Sequence, residues 1–281
     1  MLFFFGGHLV FWAQLRYNAC MSHESHFSDY SRYFSQRQKV YLVNMSATRN
    51  NEIYESLSGV VTSSGMNSLE LMVACGGAAT TADEVGTAIY KLTSEAFGSG
   101  IQVLAVQTGV IGDTIFQFRM QGTLEMFQRR IVPRVELSTN ISQIYGNFPL
   151  ASFKKEWQRV REHMRTAGAL PRVVLQKTAI NLSVGGIGLT VDLQNRPTPY
   201  SMFFVALDQG LPLCVLAETV WEQREEEKLR CGFRFIYILK SDQERISTVV
   251  GDLIRESGGT PMDYKRNWVL VDKMVADIRK S

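Results

Sequence analysis

Arginines at positions 129, 130 and 134 fall within the seven residues Gln128–Arg134, which read Gln-Arg-Arg-Ile-Val-Pro-Arg. Pro133 lacks a backbone N–H and pushes Val132 toward extended geometry. The spacing therefore predicts a basic linker entering a strand, not one face of a helix. Guanidinium forks match phosphate oxygens and the O6/N7 edge of guanine, and their planes stack on bases. Such a linker has the chemistry to clamp a guanine nucleotide. A solvated connector between domains would carry the same residues.

A second polar cluster follows at Ile180–Val191, Ile-Asn-Leu-Ser-Val-Gly-Gly-Ile-Gly-Leu-Thr-Val. Asn181 and Ser183 alternate with Ile180 and Leu182, so in a strand both polar side chains face one way. An Asn amide offers a donor and an acceptor to a base edge, and a Ser hydroxyl serves a phosphate or a base. Gly185, Gly186 and Gly188 allow close approach to the backbone. The same residues also suit a turn between two strands.

In this order, about fifty residues apart, Arg130-x-x-x-Arg134 and Asn181-x-Ser183-x-x-Gly186 resemble the motif pair of the PilZ family of cyclic di-GMP receptors. The resemblance covers Gln128–Glu256. Arg134-Val-Glu-Leu is similar to the family's first barrel strand, Gly232-Phe-Arg-Phe-Ile to its late strand, and Asp242–Glu256 to its closing helix. Asn stands at 181 where Asp is commoner, and Pro133 where an aromatic is often found. The resemblance implies that Arg130 and Arg134 hold guanine and phosphate, that Asn181 and Ser183 contact the ligand from a barrel wall, and that Gly185 and Gly186 leave it room. Arg129, directly before the pair, implies two intercalated ligand molecules.

The rest of the chain must position these groups. Six β-patterned runs between Lys39 and Arg129, punctuated by Gly76-Gly77, Gly98–Gly100 and Gly112-Asp113, predict a small barrel or sandwich. By position and strand pattern this segment resembles the N-terminal barrel of flagellar-brake-type proteins. Further strands are expected at Arg134–Ser138, Arg172–Asn181, Ile187–Leu193, Ser201–Leu207, Leu213–Trp221 and Leu229–Leu239. Phe153, Trp157, Val160 and Met164 recur at helical spacing and predict an amphipathic helix over Ser152–Thr166. Its lysines and arginines suit either a barrel cap or a basic docking surface. Asp242 is the expected N-cap of the closing helix, and Trp268, Val271, Val275 and Ile278 predict a last helix over Met262–Arg279. The expected fold is mainly β, with two small barrels in tandem, a helical insert and C-terminal helices. The expected divisions are a tail at 1–38, a first barrel at 39–127 and a PilZ domain at 128–281.

Composition narrows the function classes. A net charge of +3 does not supply the broad basic face that nucleic acid binding needs. Cysteines at 20, 75, 214 and 231 form no Cys-x-x-Cys, no zinc spacing and no clear disulfide framework, which fits a reducing cytoplasm. No nucleophile elbow, phosphate-binding Gly loop or His-Glu-x-x-His occurs. Apolar Met1–Ala13 is too short to span a bilayer. It reads as a tail that packs on the body or a membrane surface, or as an extension before a start at Met21. The resemblance implies a non-enzymatic cytoplasmic receptor, without metal or other cofactor. On binding cyclic di-GMP it would change its interdomain arrangement and regulate a protein partner such as the flagellar motor. An oligomer is compatible with this. A non-binding interaction module and an RNA- or single-stranded-DNA-binding barrel are the alternatives.

Overall fold

A computed structural model describes residues 29–46, 51–73, 86, 88–112, 114–127 and 133–258. The first sheet is built from β1 (Lys39–Asn44), β3 (Leu57–Ser64), β4 (Ser68–Val73), β5 (Ile89–Ala96), β6 (Ser99–Ile111) and β7 (Ile115–Phe127). It closes as a barrel in the order β1-β3-β4-β7-β6-β5. Alternate residues face inward, as a pleated strand requires. Val40 and Leu42, Leu69 and Leu71, Tyr90 and Leu92, and Phe116 and Phe118 thereby meet in one core. A 3-10 turn at Tyr30–Arg32 adds Tyr30 and Phe34 to that core. The β5–β6 hairpin turns at Phe97 and Gly98, both with positive φ (52° and 76°), a twist that suits two-residue hairpins.

The remaining early strand, β2 (Ile53–Glu55), lies between β1 and β3 in sequence but pairs elsewhere. The second sheet runs β10-β9-β8-β11-β12-β13-β2, and β10 also pairs with β13, which closes six strands into a second barrel with β2 attached. These strands are β8 (Val135–Tyr145), β9 (Gln176–Ser183), β10 (Gly186–Asp192), β11 (Tyr200–Val205), β12 (Leu213–Glu225) and β13 (Lys228–Leu239). The mainly β, two-barrel architecture read from the strand pattern is the one observed. Residues 39–127, however, lend one strand to the other sheet. Three residues, Ile-Tyr-Glu, are too few to show alternation, so β2 was not foreseen.

Helix α1 (Leu150–Ala167) is longer at both ends than its apolar stripe implied. Leu150, Phe153, Trp157, Val160 and Met164 pack on Met202, Phe204, Cys214 and Leu216 of the barrel's outer face. Trp157 donates its Nε1–H to the Cys214 carbonyl at 2.8 Å and meets Tyr237 edge-on. The helix is thus a cap on the barrel. Its basic residues are largely paired: Lys154 with Glu55, Arg159 with Glu156, Arg161 with Asp242 and Arg165 with Glu162. Gly168 ends it in the left-handed region, φ 62°.

Helix α2 (Lys240–Glu256) starts two residues before the expected N-cap. Asp242 lies inside its first turn and makes no cap bond. It is buried between Arg161 and Arg245 instead, because the chain leaves β13 directly into the helix. Ile246 and Val250 reach the second barrel's core. The helix predicted over Met262–Arg279, the apolar Met1–Ala13 and Gly76-Gly77 lie outside the described residues. Among the described residues no helix is long and apolar enough to cross a membrane.

Candidate functional site

The second barrel's outer wall is set by strand register. Ile180 and Leu182 point into the core, so Asn181 and Ser183 point outward. Ser183 pairs with Gly186 across the β9–β10 turn, Gly186 with Arg234 on β13, and Arg234 with Glu218 on β12. On the other side, β8 pairs Val135 with Leu182 and Glu136 with Asn181. Carrying that register one residue past the end of β8 sets Arg134 opposite Ser183. One transverse row therefore runs Arg134, Ser183, Gly186, Arg234, Glu218. Three strand spacings of roughly 4.8 Å put about 14 Å between the ends of its first four members.

A parallel row lies beside it. Glu136 pairs with Asn181, Asn181 with Gly188, Gly188 with Gly232, and Gly232 with Trp221. The register shift between Thr219 and Trp221 brings the indole back to the outer face. Its Nε1 lies 2.0 Å from where a Cβ on Gly232 would stand, so the half-exposed ring covers that glycine. Gly188 has no such cover; a Cβ there would meet Asn181 Cβ at 3.5 Å. The wall is a trough floored by two glycines, with an amide and a carboxylate on one side and an aromatic plane on the other. A carboxylate and an amide both accept from the donor edge of guanine.

The two motif glycines differ in what they do. A Cβ on Gly185 would meet nothing within 4 Å, and the residue is exposed. A Cβ on Gly186 would stand 2.3 Å from the Phe233 carbonyl oxygen. The room expected at Gly186 for a ligand is taken by the neighbouring strand, because β10 and β13 close the barrel there. Ser183 is buried, and its hydroxyl donates to the Gly186 carbonyl at 3.3 Å. Asn181 is the half-buried, outward polar group of the motif.

Several charged groups meet at one end of the wall. Arg234 stacks on Tyr41 of the first barrel, guanidinium carbon 3.8 Å from the ring centroid. Lys39 reaches the same ring, 5.5 Å away. Lys91 has its pKa lowered, first by burial and then by the charge of Arg234, with Glu125 opposing. Burial pushes the Tyr41 phenol up, against the pull of Arg234 and Lys39. Three cations are thus gathered near the barrel junction. Carboxylates stand among them too: Glu125 acts on Lys91, Glu95 on Tyr41, and Glu218 accepts from Lys39 at 2.7 Å and from Ser58 at 3.0 Å.

Arg129 and Arg130 lie outside the described residues. Arg134 is exposed at the mouth of β8, and register brings it together with Asn181, Ser183, Gly185 and Gly186. Glu136, Trp221 and Arg234 were not singled out from sequence. Arg234 sat in view inside Gly232-Phe-Arg-Phe-Ile, but only cross-strand pairing shows that it neighbours Gly186. No group of three or more His, Cys, Asp or Glu among the described residues could hold a metal ion. Cys214 and Cys231 are buried thiols; burial pushes Cys231 up to about 11 and Cys214 up as well, which keeps both protonated.

Fold and wall together define a tandem β-barrel protein with a glycine-floored, cation-edged face. Residues 155–251 match the PilZ domain family model, and the chain carries a PilZ domain there. The match takes in Asn181, Ser183, Gly185 and Gly186 and begins after the arginine linker. No curated protein matches the chain. Among solved structures, the inhibitor of motility MotI/DgrA of Bacillus subtilis is 12% identical, covering 80% of this chain and 98% of its own, with TM-score 0.32. YcgR of Escherichia coli in complex with c-di-GMP is 16% identical, covering 79% and 85%, with TM-score 0.28. PlzA of Borreliella burgdorferi in complex with c-di-GMP is 12% identical, covering 86% and 100%, with TM-score 0.24.

Proposed function

We propose that this protein is a cytoplasmic receptor for cyclic di-GMP that acts on a protein partner through the arrangement of its two barrels. The observation that carries the reading is the transverse row on the PilZ barrel. It aligns Arg134 with Ser183, Gly186 and Arg234, and sets Asn181 in the next row. Arg130 and Arg134 close over guanine and phosphate from the linker, while Asn181, Ser183 and the Gly185–Gly186 backbone receive the ligand on the wall. A bis-anionic ligand with two purine faces suits a site that offers guanidinium forks, an amide and glycine-opened backbone. Arg129 adds a further guanidinium to stack on a second, intercalated ligand molecule. Ligand shifts the barrels only by binding one arrangement better than another.

Calorimetry with cyclic di-GMP, GTP and oligonucleotides tests this directly. The expected result is saturable binding of cyclic di-GMP alone, lost at least tenfold in Arg134→Ala and in Asn181→Ala with the fold intact. Absence of cyclic di-GMP binding at micromolar protein overturns it in favour of a constitutive interaction module. Preferential oligonucleotide binding overturns it in favour of a nucleic acid barrel.

A further inference from the structure

We infer that the two barrels are already joined before ligand arrives, with residues 53–57 as a strap that serves as pivot and Arg234 as the latch for which the ligand competes. The inference rests on the reading of the PilZ wall as a cyclic di-GMP site and concerns how that site is coupled to the first barrel.

The strap touches every apolar layer of the molecule. Ile53 packs on the layer under α1, and Leu57 is buried in the first barrel's core. Tyr54 lies between them and packs on two clusters at once. One is the second barrel's core; the other is Val43, Met45, Ile89, Leu104 and Val106 of the first barrel. Glu55 pairs with Lys154 of α1. The backbone is tied as well: Ile53, Tyr54 and Glu55 pair with Leu239, Ile238 and Tyr237. Ser56 N–H donates to the Ile236 carbonyl at 2.8 Å, and Lys240 N–H to the Glu52 carbonyl at 2.8 Å. Peeling the strap away would break these backbone pairs and uncover the apolar surface that Ile53, Tyr54 and Leu57 pack on, which is costly. Full separation of the barrels about the 128–134 linker is therefore not the motion this fold favours.

The second connection is built less completely. Arg234 contributes its stack on Tyr41, and Glu218 its bonds to Lys39 and Ser58. Glu218 is buried, yet its Oε2 has no hydrogen-bond partner, and neither has the buried Ser56 Oγ; both residues line one narrow crevice between the barrels. This contact rests on side chains alone, whereas the strap is also tied through its backbone, which makes the side-chain contact the weaker of the two. Arg234 is also register partner of Gly186, beside Ser183. A phosphate oxygen arriving there offers its guanidinium charge-assisted hydrogen bonds, which outcompete a stack on a tyrosine face. Drawing Arg234 toward the ligand releases Tyr41, and the first barrel turns on the strap.

Hydrogen exchange on the full chain tests the strap without any ligand. Amides of residues 53–57 and 236–240 should be as protected in the free protein as the barrel strands, and remain so with saturating cyclic di-GMP. Exchange at loop rates in the free protein overturns the strap. The latch is read by calorimetry with cyclic di-GMP on Tyr41→Ala, and on Tyr41→Leu should the smaller residue compromise folding. Removing the ring that holds Arg234 should tighten binding several-fold, whereas Tyr41→Phe keeps wild-type affinity. Unchanged or weaker binding in both ring-less variants overturns the latch. Should the wild-type chain bind no cyclic di-GMP, the functional reading falls and the latch with it, while exchange still decides the strap.

Discussion

The carbonyl oxygen of Phe233 stands 2.3 Å from the place a side chain on Gly186 would need. The last glycine of the Asn-x-Ser-x-x-Gly motif is therefore a condition of barrel closure before it is anything to a ligand. Gly186→Ala should cost about 1–3 kcal/mol, the usual range for forcing an extra methyl into a packed site. Gly185→Ala, whose new methyl meets open space, should leave stability within about 0.5 kcal/mol. Chemical denaturation of both variants checks the contrast, and equal losses would refute it.

Helix α1 should prove indispensable to the second barrel. Trp157 is 2% exposed, donates to the Cys214 carbonyl and packs edge-on against Tyr237. Trp157→Ala should destabilise by about 3–5 kcal/mol, as large-to-small core changes do. Deleting residues 152–168 should remove the cooperative unfolding transition of the second barrel. A second barrel that still melts cooperatively without these residues would return α1 to the role of an appended docking surface.

Acid should weaken the tie between α2 and the 206–212 loop. Hydrogen bonds from Arg245, then from the Gly210 N–H, hold the Asp208 carboxyl below its ordinary range. A depressed carboxyl stabilises the fold above its unfolded pKa, about 3.9, and that contribution disappears as pH falls through the folded value. Asp242 acts in the opposite sense. Burial raises its pKa, so its ionised form is disfavoured in the fold, and this penalty is relieved as pH falls through the raised value. Asp208→Asn should thus lose stability relative to wild type at neutral pH, and the gap should close below about pH 4. A gap that does not narrow as pH falls below about 4 would show that the ion pair is not its source.

Ligand stoichiometry should follow the arginine outside the Arg-x-x-x-Arg pair. We expect two cyclic di-GMP molecules per chain in calorimetry, and one in Arg129→Ala. A wild-type ratio of one removes the intercalated pair.

Much of this arrangement was legible in the chain because barrels advertise themselves locally. Alternation at Leu69–Leu71–Val73 or Ile101–Val103–Ala105 is a property of neighbouring residues, and so is the stripe from Phe153 to Met164. The Asn181–Gly186 cluster could be read as a strand pair for the same reason. What stayed hidden depends on register between distant strands. Nothing in Gly232-Phe-Arg-Phe says that Arg234 will face Gly186 on one side and Glu218 on the other. Ile53–Glu55 gives no hint that it leaves its own barrel, because its partner lies nearly two hundred residues away. Asp242 had the chemistry of a cap, yet the short passage from β13 into α2 placed it a turn too deep to serve as one.

Because an early strand is added to a late sheet, the second sheet is not complete until residues from both ends of the described chain meet. Such a long loop closure slows folding. A fragment beginning after residue 127 would leave the β13 edge at Tyr237–Leu239 without its neighbour, an apolar strand rim open to pairing with other molecules. The boundary that looks natural along the sequence is thus a poor place to cut the molecule, and an isolated second barrel with its β13 edge covered would have to carry its own copy of Ile53–Glu55.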